Sequence, residues 1–137
     1  PHRDAWAAVS GPWPAVYNGD IFTPEDAAAL FRDFPGTNAV MLGRGLMRDP
    51  ALLRRLRGGP DASAQELRTY HDRLLEAYRH RLSGDQPVMH RMWELWAYLS
   101  AGFTRPEPYL KRMRKAKNLS EYRAAVDALF REQRYTT

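Results

Sequence analysis

Two short stretches combine residue types that suit phosphate binding: Asn18-Gly19-Asp20 and Gly43-Arg44-Gly45. Glycine lets the backbone approach a ligand without side-chain obstruction and exposes successive N–H donors. Arginine adds a fixed positive charge on a planar fork that matches phosphate oxygens. Each stretch follows an apolar run, Ala15-Val16-Tyr17 in the first case and "NAVML" in the second, and the two begin 25 residues apart. That spacing is about one strand–helix unit. In a parallel β/α array consecutive strands end at the same edge, so the two turns are expected to be neighbours. Paired glycine turns after consecutive strands are a recurrent phosphate site in β/α barrels. Alone, Gly-Arg-Gly reads first as an ordinary strand-to-helix turn; the Asn-Gly-Asp one unit earlier is what raises the phosphate reading to stand level with it.

The elements needed to position these turns are legible in residues 15–58. Between the two apolar runs, "TPEDAAALFRDF" reads as a helix. Thr23 suits the N-cap and Pro24 the first helical position, with Glu25 and Asp26 in the first turn. Leu30, Phe31 and Phe34 are expected on the apolar face, and Pro35-Gly36 stops the helix. After the second strand, Asp49-Pro50 is expected to cap a helix over "ALLRRLR", which Gly58-Gly59-Pro60 ends. Arg48 is not assigned a role, and Asp20 is read as a turn residue.

From residue 62 onward the periodicity is helical throughout. Leu67, Tyr70, Leu74, Tyr78 and Leu82 recur at spacings of three and four. A second helix over 87–100 carries Val88, Met92, Leu95 and Leu99, widened by Met89, Trp93 and Trp96. A short basic helix over 107–116 follows. The last helix places Tyr122, Ala125, Val126, Leu129 and Phe130 on one face, with Asn118 and Ser120 as rival caps. The fold expected is mostly α, an α+β fragment: two β/α units over 1–61, then a four-helix bundle over 62–137.

Composition separates the same two parts. The chain has 137 residues, enough for one ordinary domain, and 44% of them are hydrophobic. Residues 1–61 hold seven Arg against seven Asp and Glu, whereas residues 62–137 hold fourteen Lys and Arg against nine Asp and Glu. The whole net charge of +5 therefore belongs to the second part, which suits a polyanionic partner there. There is no cysteine, which excludes disulfides, thiolate metal sites and cysteine chemistry within this chain, and fits a cytoplasmic protein. "PHRDAWAAVS" has no apolar stretch of the signal-peptide kind, and no segment has the length of a membrane span.

The densest charge cluster is Lys111-Arg112-Met113-Arg114-Lys115-Ala116-Lys117. On a helix Lys111, Arg114 and Lys115 share a face, available for nucleic-acid phosphates or simply for water. Trp93, Trp96 and Tyr98 could stack on bases, but with Met89 and Met92 on the same helix, core packing is the expected role. His71 and His80 are nine residues apart rather than four, so no metal site is expected.

"VYNGDIFTPEDA", then "VMLGRGLMRDPALL", then an all-helical basic tail resembles the C-terminal part of a tRNA-dihydrouridine synthase, from about Trp6 to Phe130. The resemblance implies the last two β/α units of a TIM barrel followed by a helical tRNA-binding domain. It implies FMN at the barrel mouth, NADPH as reductant, and reduction of uridine to 5,6-dihydrouridine in tRNA. By motif, Asn18, Gly19, Gly43 and Arg44 would contact the flavin phosphate and ribityl chain, and Lys111, Arg114 and Lys115 would meet tRNA.

This chain departs from the family pattern in having no cysteine, the residue that serves the family as general acid. His2 and Arg3 are similar to a His-Pro-Arg segment of the family, but the intervening residues do not match and they are not assigned. The expectation is a C-terminal fragment with no catalytic residue of its own, inactive alone, whose two strands are distorted, poorly paired or joined to another copy. The other readings are a non-catalytic RNA-binding helical module with a vestigial β/α segment, and a different phosphate-binding barrel enzyme with an incidental tail.

Overall fold

The computed structural model describes residues 4, 6, 8 and 11–136. The chain is mostly helical and divides into two compact units between Asp61 and Ala62.

In the first unit, strand β1 (Val16–Asn18) is followed by helix α1 (Pro24–Asp33), strand β2 (Ala39–Met41) and two short helices, α2 (Arg44–Arg48) and α3 (Leu52–Leu56). The strands pair with each other in parallel, Val16 opposite Ala39, Tyr17 opposite Val40 and Asn18 opposite Met41. This pairing is short, three residues on each strand. Its entrance is fixed by Asn38, whose N–H donates to the Ala15 carbonyl at 2.9 Å and whose side-chain oxygen accepts from the Ala15 N–H at 2.7 Å.

Helix α1 begins where the sequence says it should. The Thr23 hydroxyl accepts from the Asp26 N–H at 3.1 Å, while the Asp26 carboxylate accepts from the N–H groups of Phe22 and Thr23, both at 3.0 Å. This reciprocal cap satisfies donors that a helix start otherwise leaves open. The helix buries Ala27 and Leu30 against Tyr17 and Ile21, with Trp6, Phe34, Val40, Leu42 and Leu56 at the margin. Phe31, expected on that face, is exposed. The buried stripe runs 27, 30, 34, and residue 31 is turned about 100° away from residue 30. Strand residues alternate in facing. Tyr17 faces the core, while Val16 and Met41 are exposed apolar side chains.

The region after β2 also differs from the sequence expectation. Helix α2 starts directly at Arg44, and Asp49 closes it rather than capping the next. Asp49 is buried. One carboxylate oxygen accepts from the Ala51 N–H at 3.0 Å and the other pairs with Arg55 Nη1 at 2.7 Å. Arg55 Nε reaches the Asp61 carboxylate at 2.8 Å, and its attachment to Asp49 raises its pKa further. A buried carboxylate without such a cation would be costly, so the pair is a packing requirement as well as a turn.

The second unit packs four helices around one apolar core: α4 (Ala64–Arg81), α5 (Asp85–Leu99), α6 (Glu107–Lys115) and α7 (Leu119–Glu132), with a 3-10 turn at Ser100–Gly102. Ser63 and Glu66 form a reciprocal cap on α4. Asn118, not Ser120, caps α7, and the Glu121 carboxylate reaches back to the Lys117 N–H at 2.8 Å. Trp96 lies in the core, and Trp93 is half-buried with its indole N–H on the Met113 carbonyl at 3.0 Å. Of the stripe expected on α4, Leu67 is buried, but Tyr70 points outward and His71 takes the interior place.

His71 is fully buried and fully bonded. The Trp96 indole N–H can only donate, and it reaches the Tyr122 hydroxyl at 2.8 Å. The Tyr122 hydrogen is then directed to His71 Nε2, 2.7 Å away, which leaves Nδ1–H to donate to Asp72 at 2.9 Å. Asp72 also accepts from Arg68, which extends to Asp127. This ordering, assigned from the donor inventory, requires a neutral imidazole. Burial lowers the His71 pKa and raises that of Tyr122, while the bonds from His71 and Arg68 lower that of Asp72.

The unfolded chain takes up a proton on His71 near pH 6.5, which the folded chain resists. The stability due to neutral His71 is therefore complete above about pH 6.5 and falls as the solution is acidified through that value. Denaturant midpoints of the chain measured from pH 7.5 downward should show this loss. Tyr122→Phe removes the shared hydroxyl and should cost about 1–3 kcal/mol in the same assay at pH 7.5, with no change in far-UV spectrum.

Candidate functional site

Parallel pairing brings the exits of β1 and β2 to one edge of the sheet. Asn18 ends β1, Gly43 is the N-cap of α2, and Asn18 is opposite Met41. Asn18, Gly43 and Arg44 are exposed and Gly19 is half-buried. The four residues assigned to the phosphate site thus come together at this edge.

The glycines there differ in what their missing side chains allow. A Cβ on Gly45 would strike the carbonyl oxygen of Ile21 and come within 2.8 Å of the Leu52 side chain. Gly45 is buried and lets α2 lie directly on the backbone leaving β1. A Cβ on Gly19 would meet the ring and hydroxyl of Tyr17, so that glycine accommodates a core tyrosine. Above Gly43 nothing lies within 4 Å. Of these three, only Gly43 leaves its missing side chain as open space.

The Arg44 guanidinium does not stand alone. Its Nη2 donates to Asp20 Oδ1 at 2.6 Å, joining the two turns across 24 residues of sequence. Asp20, read from sequence as a turn residue, is therefore also the partner of Arg44. The two side chains are 52% and 60% exposed, so solvent screens the pair. The available sequence signal was an acid and a base at matching places in two turns one strand–helix unit apart. Arg48, next on α2, lies with its guanidinium carbon 5.5 Å from the centroid of the Phe22 ring.

Chemically, this edge offers one guanidinium bonded, among the described residues, through a single donor, one asparagine side chain, and backbone next to open space at Gly43. These suit an anion with several oxygens. Among the described residues no group of three or more His, Asp and Glu is placed to hold a metal ion.

In the second unit, Lys111, Arg114 and Lys115 are all exposed on α6, whose opposite face buries Tyr109 and Met113. Among the described residues no ion pair engages these three cations. His71, His80 and His90 do not converge: His71 is in the core, His80 pairs with Glu76 at 3.4 Å, and His90 packs on Trp93. His2 and Arg3 lie outside the described residues. Among the described residues no helix is long and apolar enough to cross a membrane.

A parallel strand pair with glycine turns at one exit edge, followed by a basic helical unit, is the arrangement on which the comparison with known proteins bears. Residues 7–134 match the sequence profile of the dihydrouridine synthase (Dus) family, and the chain belongs to that family. Over 125 residues it is 26% identical to a tRNA-dihydrouridine(16) synthase of Neisseria meningitidis serogroup A, a match that covers 87% of this chain and 37% of that protein. The chain spans well under half the length of this relative.

The packing of the three glycines leads to unequal mutational costs. Gly45→Ala must displace backbone or Leu52 and should cost about 1–3 kcal/mol in chemical denaturation. Gly43→Ala, with open space above it, should cost about 1 kcal/mol or less. Equal losses at the two positions would contradict this account of α2.

Proposed function

We propose that this chain is the C-terminal part of an FMN-dependent tRNA-dihydrouridine synthase. In this reading residues 1–61 form the last two β/α units of a TIM barrel, and residues 62–137 form a four-helix tRNA-binding bundle. The observation that carries it is the shared edge of the two strand exits, with Arg44 and the open backbone of Gly43 side by side. The bare face of the sheet supports it as well. Val16 and Met41 are apolar and exposed opposite the face that α1 covers, and parallel sheets are stable with both faces covered. Further β/α units closing a barrel would cover that face.

The edge residues fit a flavin phosphate. Arg44 supplies charge-assisted donors, Asn18 a neutral amide, and Gly43 close backbone access. Gly19 contributes through its backbone, since Tyr17 occupies the space of its missing side chain. When bound, a flavin reduced by NADPH would supply the hydride which, with a proton from an acid outside this chain, saturates the uracil C5–C6 bond. This chain's part is to hold the phosphate end, so that the reactive ring is carried at a fixed distance from the anchor. It supplies no catalytic residue, and with no cysteine it lacks the family's acid. Residues 1–137 alone are therefore inactive in this reading.

The target uridine must leave its stack, at a cost of a few kcal/mol that protein–tRNA contacts offset. Lys111, Arg114 and Lys115 are the proposed contributors. They form an exposed face with no ion pair among the described residues, in the unit that holds all of the net positive charge. The protein so described works in the cytoplasm, where tRNA is modified.

The decisive experiment uses the full-length protein that carries this chain. It should show flavin absorbance, and with NADPH it should convert uridine to dihydrouridine in unmodified tRNA. Protein without flavin and without this activity would leave the non-catalytic RNA-binding reading in its place. Replacing Lys111, Arg114 and Lys115 together by Ala should weaken tRNA binding. It should also lower the slope of log K against log salt by up to about 0.9 for each phosphate no longer neutralised. Unchanged affinity and slope would remove these residues from the interface.

A further inference from the structure

We propose that Asp20 is a positioning residue for the anion site: it holds the Arg44 guanidinium over the two strand exits, so that the remaining donors face a phosphate monoester. The inference deepens the flavin-phosphate reading above and rests on it.

A guanidinium carries five N–H donors in one plane. Asp20 engages Nη2 through a single 2.6 Å bond to Oδ1, and among the described residues no other group takes the remaining donors, which an incoming anion can use. Arg44 is the first residue of α2 and Asp20 stands two residues beyond the end of β1. The bond therefore runs between the two turns, and it restrains the guanidinium relative to both. An arginine this exposed would otherwise sample many rotamers, and an anion would have to select one of them. Prior restraint lowers that entropic cost of binding.

Asp20 also places a negative charge near the proposed phosphate, and the two effects oppose each other. Its carboxylate is half exposed, so its repulsion of a phosphate several ångströms away is damped by water and salt. The fixing of the guanidinium rests on a direct 2.6 Å bond, which water and salt weaken less than a repulsion acting across several ångströms. Positioning should therefore prevail, and a neutral acceptor at residue 20 should retain the benefit without the repulsion. The two contributions can be separated by substitution.

The test is ligand titration of the full-length apoprotein with FMN and with riboflavin, which lacks the phosphate. Asp20→Ala should raise the Kd for FMN by about two- to five-fold, the range expected of an exposed pair. Asp20→Asn should bind FMN at least as tightly as the parent. Both variants should bind riboflavin as the parent does. Arg44→Ala should raise the FMN Kd at least about ten-fold and leave riboflavin unaffected.

Several results would overturn the proposal. One is Asp20→Ala binding FMN as well as or better than the parent. Another is Asp20→Asn behaving like Asp20→Ala, and a third is equal weakening of FMN and riboflavin, which would mark a merely structural role. If Arg44→Ala retains its phosphate-specific loss while Asp20→Ala has none, positioning fails and the phosphate reading stands. If the parent binds no FMN, both fail.

Discussion

Val16–Asn18 and Ala39–Met41 run in the same direction, and parallel strands joined by a crossover helix leave the sheet at the same edge. The rest of the first unit follows from that constraint. It sets Asn18 beside Met41, so the residues after each strand begin their turns as neighbours. It lets α1 cover one face with Ala27 and Leu30, and leaves Val16 and Met41 on the other. It also brings the Ile21 carbonyl under Gly45 and Asp20 within reach of Arg44. An antiparallel pairing of the same segments would send the two turns to opposite ends of the sheet.

A second requirement, that buried polar groups find partners, shapes both units. In the first, Asp49 is held by Arg55 and the Ala51 N–H. In the second, Trp96, Tyr122, His71, Asp72 and Arg68 form a chain of donors that closes in only one order. Apolar residues of similar size could fill the same volume at comparable stability. The polar chain adds direction: it links α4, α5 and α7 through atoms that must meet within hydrogen-bond distance, so a slip of one helix would strand a donor in the core.

Local features are legible in the sequence because their causes are local. Thr23 with Asp26 starts α1 and Asn118 starts α7, since the cap is written within four residues. The change from two short apolar runs to sustained helical periodicity marks the passage from a mixed unit to an all-helical one. Where sequence and structure differ, the cause is a partner far along the chain. Phe31 and Ala27 both fit an apolar stripe, and Tyr17 and Ile21 decide which is buried. Tyr70 is the more apolar choice for an interior place, yet His71 occupies it because Tyr122 and Asp72 satisfy both ring nitrogens. Asp49 reads as a cap in sequence because the half-buried Arg55 that pairs with it lies in the following helix. At the strand exits the sequence identifies which residues could gather. An acid and a base at matching places in the two turns make a bond between Asp20 and Arg44 possible, but whether it forms depends on the register of the two strands.

The three glycines at the strand exits serve different ends. Gly45 is needed for packing on Ile21, Gly19 for the Tyr17 ring, and Gly43 for neither. Because Asp20 offsets the charge of Arg44, the edge is close to neutral, within a unit whose sequence charges also balance. An anion held there would owe little to long-range attraction. Its affinity would come from directed donors at short range, which salt screens weakly. The helical unit has the opposite character, an excess of five positive charges, with Lys111, Arg114 and Lys115 on α6 in no ion pair among the described residues. Attraction of that kind acts at a distance and weakens steeply with salt. The division suits a protein that retains a small phosphorylated cofactor through many encounters while a large polyanion binds and leaves. Under the proposed function, salt strong enough to release tRNA would leave the flavin in place.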